Sequence, residues 1–98
     1  MENNQRKVEI ELTLVEKRFY KYKAKRLQLI ESFVKKSKTL ADLTETNRIQ
    51  ESYEYLDTLN YLKKEIKETE KIMKICLKKR QNLNKRYWEI EKILINNR

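Results

Sequence analysis

The stretch Ser37-Lys38-Thr39-Leu40-Ala41-Asp42-Leu43-Thr44-Glu45-Thr46-Asn47 is the only concentration of Ser, Thr, Asp and Asn in this chain. Such residues cap helices and make turns, because their short polar side chains bond to nearby backbone groups. Here they have no competitors for that task. The 98 residues contain no glycine and no proline, where an average soluble chain of this length would hold roughly a dozen of the two together. Asp42 precedes Glu45 by the spacing of a capping box, and Thr44 precedes Asn47 by the same interval. The stretch therefore reads as a single reversal at about 38–44, between a first helix over about 5–37 and a second over about 44–96.

Outward from the reversal, each flank carries a seam. Val8, Leu12, Val15, Phe19, Tyr22, Arg26, Leu29 and Phe33 follow one another in alternating steps of four and three, the period that buries one stripe in a coiled coil. Leu62, Ile66, Thr69, Met73, Cys76, Arg80, Leu83, Tyr87, Ile90 and Leu94 do the same. Ahead of Leu62, the apolar residues Ile49, Tyr53, Leu56 and Leu59 continue a stripe whose last two steps are both three. That spacing reads as a stammer or a bend.

The fold expected is all-α: an antiparallel two-helix coiled-coil hairpin with unequal arms, in one domain over 1–98. A bend near 57–60 would instead give a three-helix bundle. A reversal near residue 41 puts Phe33 beside Ile49 and Val8 beside Ile75. Residues 77–96 would then project beyond the first helix with an apolar seam exposed, and exposed seams attract partners.

Charge follows the same division. Residues 1–38 hold eleven Lys/Arg against five Asp/Glu, residues 39–70 four against eight, and residues 71–98 nine against two, within a total of +9. A hairpin lays the basic stretch 17–38 against the acidic stretch 45–70.

Composition also narrows the chemistry. With no histidine and one cysteine, the usual ligands of a zinc or transition-metal site are lacking, and neither metal nor cofactor is expected. There is no histidine base, no nucleophile elbow and no glycine-rich phosphate loop, so an enzyme is not expected and no catalytic residue is assigned. Cys76 lies on the seam and reads as a small core hydrophobe; a lone cysteine leans toward a cytosolic setting. No apolar run reaches the roughly 20 residues of a membrane span, and Met1-Glu2-Asn3-Asn4-Gln5 lacks the apolar segment of a signal peptide. The chain reads as cytoplasmic, without membrane insertion.

Binding is what remains. Lys78-Lys79-Arg80, Lys85-Arg86 and Tyr87-Trp88 interleave cations with aromatics, a set able to contact phosphate and stack on bases. A basic zipper would carry its basic region ahead of the seam and not along it, which disfavours nucleic acid. Adjacent Tyr87 and Trp88 cannot both face the seam, and exposed aromatics anchor protein interfaces.

The run Tyr53-x-x-Leu56, Lys63-Lys64-Glu65-Ile66-Lys67-Glu68-x-Glu70, Lys79-Arg80-x-x-Leu83-x-Lys85-Arg86 and Glu89-Ile90-x-Lys92 resembles the second helix of the central-stalk family of bacterial type III secretion and flagellar export systems, the FliJ/YscO/InvI type. The likeness covers about residues 43–92. It implies an antiparallel coiled coil similar to the γ rotor of rotary ATPases, inserted into a hexameric secretion ATPase and coupling it to the export gate at the cytoplasmic face of the inner membrane. On that resemblance the paired termini enter the ring, with Arg80, Lys85, Arg86, Tyr87 and Trp88 among the contacts, and the turn points away. The alternative is a generic coiled-coil subunit that binds another coiled coil through Leu83, Tyr87, Ile90 and Leu94.

Overall fold

The computed structural model describes residues 2–97. Two helices, α1 (Glu2–Glu45) and α2 (Ile49–Asn96), form a hairpin, with no strand among the described residues. The arms are 44 and 48 residues long, unequal by one helical turn. α2 is unbroken, so the three-helix alternative is not realised.

The reversal lies at Thr46-Asn47-Arg48, beyond the expected 38–44. Asn47 adopts φ 58°, the left-handed conformation that glycine usually supplies and asparagine tolerates best among the others. The Arg48 amide donates to the Leu43 carbonyl at 2.9 Å, and the Asn47 amide donates to the Thr44 carbonyl at 3.2 Å. These are the paired bonds of a Schellman motif, which satisfies carbonyls at a helix end. The Arg48 carbonyl then accepts the first bond of α2 from Ser52 at 3.1 Å.

The Ser/Thr-rich stretch stays helical because its hydroxyls bond backwards. Thr39 donates to the carbonyl of Lys35 at 3.2 Å, Thr44 to Leu40 at 2.8 Å and Thr46 to Asp42 at 3.0 Å. Side chains expected to cap α2 are thereby absorbed into the last turns of α1.

By packing, the chain divides into two units, Met1–Tyr22 with Ile72–Arg98, and Lys23–Lys71. The second contains the turn. Its buried residues are Leu43, Leu59 and Leu62 with Ser52 and Thr69. The antiparallel order is read from contacts: Arg26 Nε meets Glu70 Oε1 at 3.2 Å, Lys63 Nζ lies 5.9 Å from the Phe33 ring centre, and Lys36 Nζ lies 5.9 Å from that of Tyr55. Phe33 is thus opposite Lys63, and not beside Ile49 as the earlier reversal implied.

No stammer is present in α2. The seam runs through Ser52, Tyr55, Leu59, Leu62, Ile66 and Thr69, all buried or half-buried, in unbroken steps of three and four, with Thr58, Glu65 and Glu70 half-buried at its edges. Ile49 and Tyr53 are each 62% exposed and belong to the neighbouring row. Thr69, only 2% exposed, is tolerated on the seam because its hydroxyl donates to the Glu65 carbonyl at 2.8 Å.

The first unit has its own core of Val8, Val15, Cys76 and Leu83, with Leu12, Phe19, Ile72, Tyr87 and Ile90 packed against it. Gln5 donates a hydrogen bond to Glu91. Helix one therefore covers the seam of α2 well past residue 77, and the expected overhang with an open seam is not formed. The cause is the later turn: each residue added to α1 before the reversal shifts the partner of Val8 further along α2.

Candidate partner-binding face

The eight residues expected at the partner contact, all on α2 in the first unit, fall into two groups. Leu83 is 6% exposed and belongs to the core, and Tyr87 and Ile90 pack against that core. Arg80 and Leu94 are half-buried on the same seam. Lys85, Arg86 and Trp88 are exposed. The structure thus commits the seam members to the hairpin and leaves the other three at the surface.

Trp88 is 66% exposed, and its ring meets that of Tyr87 edge-on, with centres 5.6 Å apart and planes at 89°. An edge-to-face pair is a favoured aromatic geometry. Tyr87, inward of the pair, is half-buried against the core. Burial pushes its phenol above the ordinary value of 10.0; the Glu9 carboxylate adds to this by repulsion and by a hydrogen bond, and Glu91 adds further repulsion. A hydrogen bond with Gln5 acts in the opposite direction. The phenol thus favours its protonated form, while the indole beside it is presented to solvent.

The unit that carries Trp88 is basic as a whole, although Glu89 and Glu91 lie close to the indole in sequence. The two segments of this unit hold thirteen Lys/Arg and six Asp/Glu, against eleven and nine in residues 23–71. Lys78, Lys85 and Lys92 recur every seventh residue and are all exposed, a spacing that keeps them on one outward line of the helix.

A cavity of about 210 Å³ opens between the helices of this unit, with Val15 and Cys76 at its floor and Leu14, Ile72 and Ile75 on its walls. Glu11, Arg18 and Lys79 form its rim. Leu14 and Ile75 are exposed, as is Ile10 one turn before Leu14. These apolar residues lie off the four-and-three seams. Their signal lies in the positions flanking the seam, where a solvated hairpin carries charge. A groove of this size, apolar below and charged at the edge, accommodates a side chain from a partner helix.

Among the described residues, no group of His, Cys, Asp or Glu is arranged to hold a metal ion, and no helix is long and apolar enough to cross a membrane. Compared with protein families, known proteins and solved structures, the chain matches none.

Proposed function

We propose that this chain is a central stalk of a type III secretion system, binding the hexameric secretion ATPase and coupling it to the export gate. The observation that carries the reading is the antiparallel hairpin that joins both terminal segments in one basic unit, with Trp88, Lys85 and Arg86 presented at its surface. A stalk seated in a ring needs a stable paired-helix end, and a basic surface draws it toward acidic walls at long range. The sequence resemblance over about residues 43–92 supports the same assignment. The ATPase contact then falls on Lys85, Arg86 and Trp88, while the turn at Thr46-Asn47-Arg48 points toward the gate.

The test is to add the purified chain to a type III secretion ATPase and follow hexamer formation and ATP hydrolysis. Both should rise, the effect should weaken with salt, and Trp88→Ala with Lys85→Ala should abolish it while helicity is kept. An ATPase indifferent to the chain at low salt contradicts the stalk reading.

A second reading, a coiled-coil subunit of another assembly, is favoured by the exposed Ile10, Leu14 and Ile75 beside the apolar groove. It calls for a partner helix whose binding is insensitive to salt and is lost in Leu14→Ala/Ile75→Ala.

A further inference from the structure

A different surface, in the unit formed by Lys23–Lys71, stands out by what it lacks. Flanking the seam of α1, the row Leu27, Ile30, Val34 runs on through Ser37 and Ala41; flanking that of α2 is the row Ile49, Tyr53, Leu56, followed by Asn60. None of these positions is charged, in a chain that is 40% Asp, Glu, Lys and Arg. Lys23 and Lys63 close the two rows at their far ends.

Both rows lie on the same side of the hairpin. Lys63 and Glu70 continue the line of Leu56 at intervals of seven, and they reach Phe33 at 5.9 Å and Arg26 at 3.2 Å on the seam of α1. Ile30 follows Arg26 by one turn on that flank, with Leu27 and Val34 just outside it. Leu27, Val34, Ile49, Tyr53 and Leu56 are all exposed large hydrophobics. Contiguous apolar faces of this kind mark interaction sites.

We propose that this face is a self-association surface, covered in solution by a second copy of the chain packed face to face as a four-helix assembly about a twofold axis. Charge selects this occupant. A face without charge presents no like-charge clash to its own copy, whereas a chain of net charge +9 would repel its copy elsewhere. The repulsion is concentrated in the other unit, with its thirteen basic and six acidic residues; the unit that carries the face holds eleven and nine. Its composition also suits interdigitation: the small Ser37 and Ala41 follow the large Leu27, Ile30 and Val34 along one row, so a partner's large side chains meet notches. A twofold contact needs such self-complementarity. The inference does not depend on the stalk reading.

Sedimentation equilibrium of the full chain over a range of concentrations and salt tests it. The wild type should show a monomer–dimer equilibrium that tightens as salt screens the net charge. Val34→Lys and Leu56→Lys should each weaken it by about a hundredfold or more by placing a charge on the apolar face, with helicity by circular dichroism unchanged. Ile75→Lys, in the other unit, should leave it intact. A wild type that stays monomeric at high concentration and salt overturns the proposal. So does a dimer that survives both face variants or is lost in Ile75→Lys.

Discussion

The backbone amide of Arg48 donates to the carbonyl of Leu43 at 2.9 Å, closing the hairpin across a single left-handed residue, Asn47. That bond sets which residue of α1 meets which of α2, and through them the two cores and the exposed faces. A chain without glycine makes its one sharp reversal with asparagine.

Substitution at Asn47 should therefore report on the turn alone. Asn47→Gly is expected to leave stability unchanged or raise it by up to about 1 kcal/mol, whereas the β-branched Asn47→Val should cost about 1–2 kcal/mol. Urea unfolding followed by circular dichroism measures both. Equal stability in the two variants contradicts the assigned backbone.

Leu83 separates a core residue from a partner contact. Leu83→Ala should destabilise the isolated chain by about 2–4 kcal/mol, the cost of a buried leucine and the cavity it leaves. Trp88→Ala, at an exposed position, should change the same unfolding midpoint far less. Equal losses would mean that the two side chains are buried alike.

Tyr87 predicts a pH dependence. Its folded-state phenol is raised above 10.0, first by burial and then by Glu9. Folding thus favours the protonated form, so its contribution is fully present below the unfolded value and is lost as pH rises through the raised one. Tyrosinate absorbance should include a late transition that Tyr87→Phe removes, and Glu9→Gln should bring that transition down. Tyr87→Phe should remove part of the alkaline loss of stability.

The Arg26–Glu70 pair crosses the hairpin, yet its side chains are 42% and 44% exposed. Solvent screening limits such pairs, so a double-mutant cycle with Arg26→Ala and Glu70→Ala should give a coupling below about 1 kcal/mol that shrinks further with salt. A larger, salt-independent coupling would mean the pair is shielded from solvent.

The seams were legible in sequence because alternating steps of three and four survive even polar entries such as Arg26, Thr69 and Arg80. Two features misled. The Ser/Thr stretch looked like the turn because those residues cap helices, but Thr39, Thr44 and Thr46 satisfy their hydroxyls on carbonyls one turn back. The more apolar Ile49, Tyr53 and Leu56 concealed the true register, which passes through Ser52 and Tyr55; pattern alone favours the more apolar of two adjacent rows. The fate of Leu83 followed from the turn. A shift of a few residues in the reversal decides whether helix one covers it, and that depends on one backbone angle at Asn47. The exposure of Trp88 was readable because adjacent residues on a helix diverge.

The register is the claim on which the two faces depend, and cysteine pairing tests it most directly. With Cys76 replaced by alanine, Gln5→Cys/Glu91→Cys should form an intramolecular disulfide readily, since these side chains meet in the structure. In a second variant, Val8→Cys should not pair within the chain with the native Cys76, which lies about 18 Å back toward the turn from the part of α2 that faces Val8, at 1.5 Å per residue. Ready closure of the Val8→Cys pair together with failure of the Gln5→Cys/Glu91→Cys pair would place the reversal near residue 41 and contradict the account.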